Sequence, residues 1–310
     1  MESAPTATRP TAVPTEPGRL TSYLLITGAA VLMLIELATA LSVAHPGSVG
    51  TASWVVIEAP GLALMAAFTG ASAAAGGAWW ARRRENASGT TMRSIGYGIG
   101  AAATAGSVIS VLAWASINPD VAGKVALASF VAAVGGGVLG SVRIGGAVLG
   151  GLVAALVAMV VAAGGLAIVS WTLVDADPDP GELSTYLSSV LVAGSIIRAV
   201  AAVVGTVVGC RWLARRRRET GFGYYLLVGL FGALLQVVAA PIAFLAALPV
   251  AHNLDSEGHP LRALARQQGA AILAAAAAGA TTALIVYAVR RLRTRRPMPA
   301  GPVPEPAAQV

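Results

Sequence analysis

TYLSSVLVAGSIIRAVAAVVGTVVGCRWLARRRR, residues 185–218, decides the class of this protein. The stretch is apolar enough to cross a bilayer, ends in four arginines, and carries Arg198 near its centre. A charged side chain at that depth costs about 2.5–3.5 kcal/mol unless a partner or water meets it. A small side chain recurs every seven residues, at Ser188, Ser195, Ala202 and Gly209. Arg198 falls three residues after Ser195 and four before Ala202. It therefore shares their face and is expected to point at other helices or a cavity, away from lipid.

The rest of the chain has the same character. Of 310 residues, 56% are hydrophobic and 11% charged, where a soluble domain carries about 25% charged residues. The expectation is an all-α integral membrane protein. A net charge of +7 would point to nucleic acid in a soluble protein. Here the arginines stand in short blocks beside apolar runs, so membrane orientation explains them and no nucleic-acid partner is expected. Cys210 is the one cysteine, which excludes an intramolecular disulfide and a thiol-rich metal site. Beside Arg211, it is expected to pack at a helix end.

A helix needs about 20 apolar residues to span the hydrocarbon. That rule predicts eight transmembrane helices, at 20–44, 55–81, 95–117, 124–142, 147–174, 185–213, 222–250 and 269–290. Residues 125–174 hold a single charge, Arg143, and are too many for one crossing; a tight turn at SVRIGG (141–146) divides them. The transmembrane domain is thus 20–296, between a Pro- and Thr-rich tail at 1–19 and a Pro-rich tail at 297–310. Both tails read as disordered.

Orientation follows from the basic residues. The two tails and one set of connections hold 17 Lys and Arg, and the opposite connections hold three: Lys124, Arg262 and Arg266. The positive-inside rule then places both termini in the cytoplasm, N-in and C-in, in a plasma membrane. Trp79, Trp80 and Trp212 lie just before the arginine blocks, where an aromatic belt is expected.

Two readings of the repeated RRRE tetrads, 82–85 and 216–219, stand open. Their offset of 134 residues maps spans one to four onto five to eight. A tandem duplication would give halves 20–143 and 144–296, related as parallel repeats. Arginine blocks and glycine pairs recurring at cytoplasmic ends would give the same pattern without one. Gly136 and Gly140, Gly146 and Gly150, and Gly205 and Gly209 share a four-residue spacing. Such pairs let helix backbones approach closely.

The substrate or coupling candidates are Arg198, Glu36, Gln236 and Glu58. Glu36 lies about 12 Å inside the first span and Arg198 about 20 Å inside the sixth, at 1.5 Å per residue. Two long side chains bridge that difference, so Glu36 is the matching anion; desolvated and protonated, it would be a coupling carboxylate. Glu58, near Trp54 and Pro60, is expected at a helix mouth, with Pro60 in the first turn. Pro241 frees a carbonyl near Val237, beside Gln236, and an unwound carbonyl at membrane depth lines binding cavities in some carriers. The connection RRRENASGTTMRS (82–94), with Arg82, Arg83, Arg84 and Arg93, is the candidate contact for a protein partner such as an ATPase.

His252, Asp255 and His259 carry metal-ligand chemistry, but their spacing matches no known ligand set, so no metal or cofactor is expected. PLRALARQQ (260–268) reads as a short interfacial helix. SIGYG (94–98) resembles a potassium-filter string but lies at the cytoplasmic end of a span. There is no HExxH, nucleophile elbow or phosphate loop, so the chain is not expected to be an enzyme. The leading reading is a small-solute carrier or permease. The alternatives are a non-catalytic subunit of a larger complex, such as an ATP-driven exporter permease, and a structural or assembly protein.

Overall fold

Long uninterrupted apolar runs dictate long helices, because a backbone in hydrocarbon must satisfy its polar groups internally. A computed structural model of the chain describes residues 51–83, 88–115, 119–142, 146–174, 183–216, 221–252 and 260–294, together with 21, 23–25, 27–28, 30–31 and 34. All regular structure among them is helical. The described residues of α1 fall within 21–34. Seven further helices follow: α2 Thr51–Arg83, α3 Ser88–Trp114, α4 Pro119–Ser141, α5 Ala147–Val174, α6 Leu183–Arg216, α7 Phe222–His252 and α8 Pro260–Thr294. Each of these seven contains a stretch long and apolar enough to cross a membrane.

The seven predicted spans from 55–81 to 269–290 match α2–α8, with three corrections; of the first, 20–44, only residues within 21–34 are described. Residues 260–268 form no separate interfacial helix; they are the opening turns of the 35-residue α8. Pro260 takes the first position, where its missing N–H costs no hydrogen bond. Helix α2 starts at Thr51, so Pro60 lies inside it and Glu58 stands past its first turn. Pro241 does not unwind α7, which is helical from Phe222 to His252. Both Val237 and Pro241 are on its exposed face, so the carbonyl freed by the proline faces outward and lines no interior cavity. The SIGYG string is helical, part of α3.

Consecutive helices alternate in direction, and glycines set how closely they meet. Gly136 and Gly140 of α4 bear on the backbone of Ala67 and Ala71 of α2, and Gly70 of α2 on that of Ala133. The Gly136–Ala67 and Gly140–Ala71 contacts step in the same direction, so α2 and α4 are parallel. Helix α3 runs antiparallel to α2: a Cβ on Gly77 would stand 2.5 Å from the Ser94 carbonyl, and one on Gly98 would stand 2.7 Å from that of Ala73. It is clasped to α4 by a buried Ser110–Ser129 hydroxyl pair at 2.7 Å and by Ser107 donating to the Ala126 carbonyl at 3.1 Å.

The second group is α5–α8. Gly205 and Gly209 of α6 rest on Ala154 and Gly150 of α5, antiparallel. Gly229 of α7 meets Gly279 of α8, and Gly279 also reaches Thr206 of α6. Helix α7 joins the groups. Phe231 and Leu235 enter the core of Phe68, Met65, Leu152 and Val148, and Val238 fills the space over Gly135. The hydroxyls of Thr69 and Thr282 donate to the carbonyl one turn back at 2.8 and 2.7 Å. That arrangement satisfies them in lipid without a partner helix.

Candidate functional site

The inward row of α6 explains where Arg198 points. Val192, Ile196, Val200, Val203, Val204, Val207 and Val208 are exposed and form one face. Arg198 lies seven residues before Gly205 and eleven before Gly209. Both steps come close to whole turns, so Arg198 stands in line with two glycines that touch α5. It is half-buried, and it lies about 22 Å from the start of α6 at Leu183 and about 27 Å from its end at Arg216. The sequence-based expectation of an inward face at central depth agrees with this position. Among the described residues Arg198 makes no hydrogen bond and no ion pair. Of the 14 acidic residues, only Glu36 and Glu58 fall within predicted spans.

Two carboxamides lie at nearly the same height. The contact of Thr206, Gly229 and Gly279 marks one level shared by α6, α7 and α8. Arg198 is eight residues from that level, Gln236 seven and Gln268 eleven, all toward the end away from the arginine blocks. At 1.5 Å per residue these are heights of about 12, 10 and 16 Å. Gln236 is seven residues on from Gly229, and Gln268 is eleven before Gly279. Each is therefore in line with the glycine that makes the α7–α8 contact. Both are half-buried. Ser195, one turn from Arg198, is half-buried as well.

Gln268 escaped the sequence reading because it ended the supposed interfacial segment. Its spacing to Gly279 was the available signal. Arg198 can supply five N–H donors in a planar fork, and each glutamine adds donors and an acceptor. Such a layer can hold a small anion or order water.

A second polar cluster lies at the arginine-rich end. Arg290 of α8 donates to the hydroxyl of Tyr225, which is fully buried, and to the Ala214 carbonyl at 3.4 Å. Its guanidinium carbon sits 5.9 Å from the centre of the Tyr225 ring. Tyr287 packs on Tyr225 and on Phe222, with centroids 5.6 and 5.5 Å apart. Arg216 lies over Trp212 at 5.4 Å. The buried Cys210 and Leu213 complete the cluster, so the cysteine packs near a helix end as expected. An arginine bonded to a carbonyl in the last turn of α6 caps that helix and favours its dipole. The cluster is a structural clamp.

Of the other predicted site residues, only Arg93 has a described side chain. Glu36, Arg84, Asp255 and His259 lie outside the described residues. Glu58, Arg82, Arg83 and His252 belong to helices, but their side chains lie outside the description. Arg93 is exposed at the start of α3. Among the described residues there is no group of three or more His, Cys, Asp or Glu that could hold a metal. In comparisons with known proteins, no family model, no curated protein and no solved structure matches this chain.

Proposed function

We propose that this polytopic membrane protein is a small-solute carrier or permease of the plasma membrane, with both termini in the cytoplasm. One observation carries the reading: Arg198 lies on the inward row of α6 at central depth, with no hydrogen bond or ion pair among the described residues. A cation there is costly, and a solute or water that meets it recovers the cost. Arg198 is the residue that engages the solute, and Glu36 is the coupling carboxylate that releases or takes up a proton.

The test is uptake into proteoliposomes of a labelled panel: an amino-acid mixture, glucose, pyruvate, succinate and phosphate. At least one should enter saturably and faster than into protein-free vesicles, with the rate lost in Arg198→Leu of unchanged folding. Equal uptake by wild type and the variant would remove Arg198 from the mechanism. Entry of none of the panel above background would remove the carrier.

A non-catalytic subunit of a larger membrane complex is the second reading, and one feature favours it. Beside the 82–94 connection, Met92 and Tyr97 of α3 are 75% and 77% exposed, flanking the exposed Arg93. An apolar pair beside a cation at a helix end is suited to protein contact. Copurification of an ATPase with the full chain, lost on deleting residues 85–92, would favour this reading over the first.

A further inference from the structure

We infer that the layer of Arg198, Gln236 and Gln268 is a binding site for a small monovalent carboxylate. The inference rests on the carrier reading for its purpose but not for its chemistry. Three helices carry these groups within about 6 Å of height, each in line with a glycine that touches a neighbouring helix: α5 for Arg198, and the α7–α8 contact for the two glutamines. Space opens beside them. Gly229 is pressed on Gly279, yet one turn nearer the layer no heavy atom lies within 4 Å of where a Cβ on Gly232 would stand. The same holds for Gly269, next to Gln268. Both open positions flank the α7–α8 contact rows at the level of the layer.

Charge and shape select the ligand. A guanidinium binds a planar carboxylate through two parallel N–H donors, and the two carboxamides supply further N–H donors to its oxygens. The described layer contains one cation, so one negative charge neutralises it. A dicarboxylate or a phosphate dianion would bring a second charge into a low-dielectric site where the described layer has nothing to balance it. On the α8 row, Ala271 and Ala275 are small, apolar and buried. They suit a short carbon chain behind the carboxylate.

The experiment measures binding to the purified full-length protein in detergent micelles by titration calorimetry. The probes are acetate, pyruvate and butyrate, each against its uncharged amide, together with succinate and inorganic phosphate. At least one monocarboxylate should bind, with its amide, succinate and phosphate roughly tenfold weaker or more. Arg198→Gln should weaken the best probe roughly a hundredfold, Gln236→Leu and Gln268→Leu roughly tenfold each, and Arg198→Lys should retain part of the binding. If no monocarboxylate binds more tightly than its amide, or if succinate or phosphate binds best, the inference fails on the wild-type protein alone, whatever the variants do. Uptake of the same probes separates the two claims. Binding without uptake removes the carrier and leaves the site. Uptake of glucose with no carboxylate binding removes the site and leaves the carrier.

Discussion

Helices α2 and α4 form one parallel pair and α6 and α8 another; the 134-residue offset between the RRRE tetrads would superpose them. They are built differently. The α2–α4 seam is closed by three glycines, Gly70, Gly136 and Gly140, each bearing on a facing backbone. Its neighbours Ala66, Ala67, Ala71, Ala132 and Ala133 are fully buried. The α6–α8 pair meets at Thr206 and Gly279 and is tied at one end by Arg290. Of the α2 membrane stretch 67% is buried, and of the α8 stretch 17%. A seam of backbone on backbone excludes water and holds position, because small residues give van der Waals contact over a long line. A pair that touches at points can leave room between them. Polar side chains at membrane depth are tolerable in the second arrangement and costly in the first. The difference is one of packing: the α2–α4 seam is closed by backbone contacts, and the α6–α8 pair is not.

The largest effect should come from filling the closed seam. Gly140→Leu would drive a side chain into the Ala71 backbone of α2, which cannot move without shifting the helix. A loss of about 3 kcal/mol is expected, near the upper end for overpacking, and thermal unfolding in detergent would record it. Gly100→Leu on α3 is the control, because nothing lies within 4 Å of a Cβ there. It should fall within about 0.5 kcal/mol of wild type. Equal costs at the two glycines would dissolve the contrast between closed and open faces.

Arg198→Leu comes next, and its sign is the informative part. Breaking a buried ion pair costs about 3–5 kcal/mol because it strands a charge. An arginine kept for a solute or water has no such partner to strand. The variant should therefore unfold at or above the wild-type temperature while losing binding. A large drop in stability would mean a structural ion pair.

The position of Arg198 was legible in the sequence because the seven-residue stripe of Ser195, Ala202 and Gly209 already gave its face. The helices were legible because a bilayer demands long apolar runs, and 269–290 could hardly have been anything else. Gln268 was not, since the end of a span is set by where neighbouring helices stop, not by its own hydropathy. Nor can spacing tell which glycines bear contacts. Gly96 and Gly100 repeat the four-residue spacing of Gly136 and Gly140, yet the first pair faces open space and the second a backbone. The carbonyl freed by Pro241 failed as a site for a related reason: its depth was right, but its face was fixed by packing against α2, α4 and α8.

Smaller effects sharpen the comparison at its fastenings. Arg290→Gln should cost about 1–2 kcal/mol, the loss of a charge-assisted hydrogen bond to a buried tyrosine, read as a lowered unfolding temperature. Tyr225→Phe should cost less, because Arg290 keeps the Ala214 carbonyl. Ser110→Ala should cost about 0.6 kcal/mol, the average for an interhelical hydrogen bond in a membrane. The double change Ser110→Ala with Ser129→Ala should come back toward wild type, since neither hydroxyl is then left alone.

The central claim is that water or solute reaches Arg198 while the α2–α4 seam is sealed. Cysteine labelling tests it most directly. In a Cys210→Ala background, Arg198→Cys, Gln236→Cys and Gln268→Cys would be exposed to a small, charged, membrane-impermeant thiosulfonate, with Ala133→Cys as the seam control. The account predicts modification at the three layer positions and none at Ala133. Protection of Arg198→Cys to the same degree as Ala133→Cys would show it sealed in dry packing and would contradict the account.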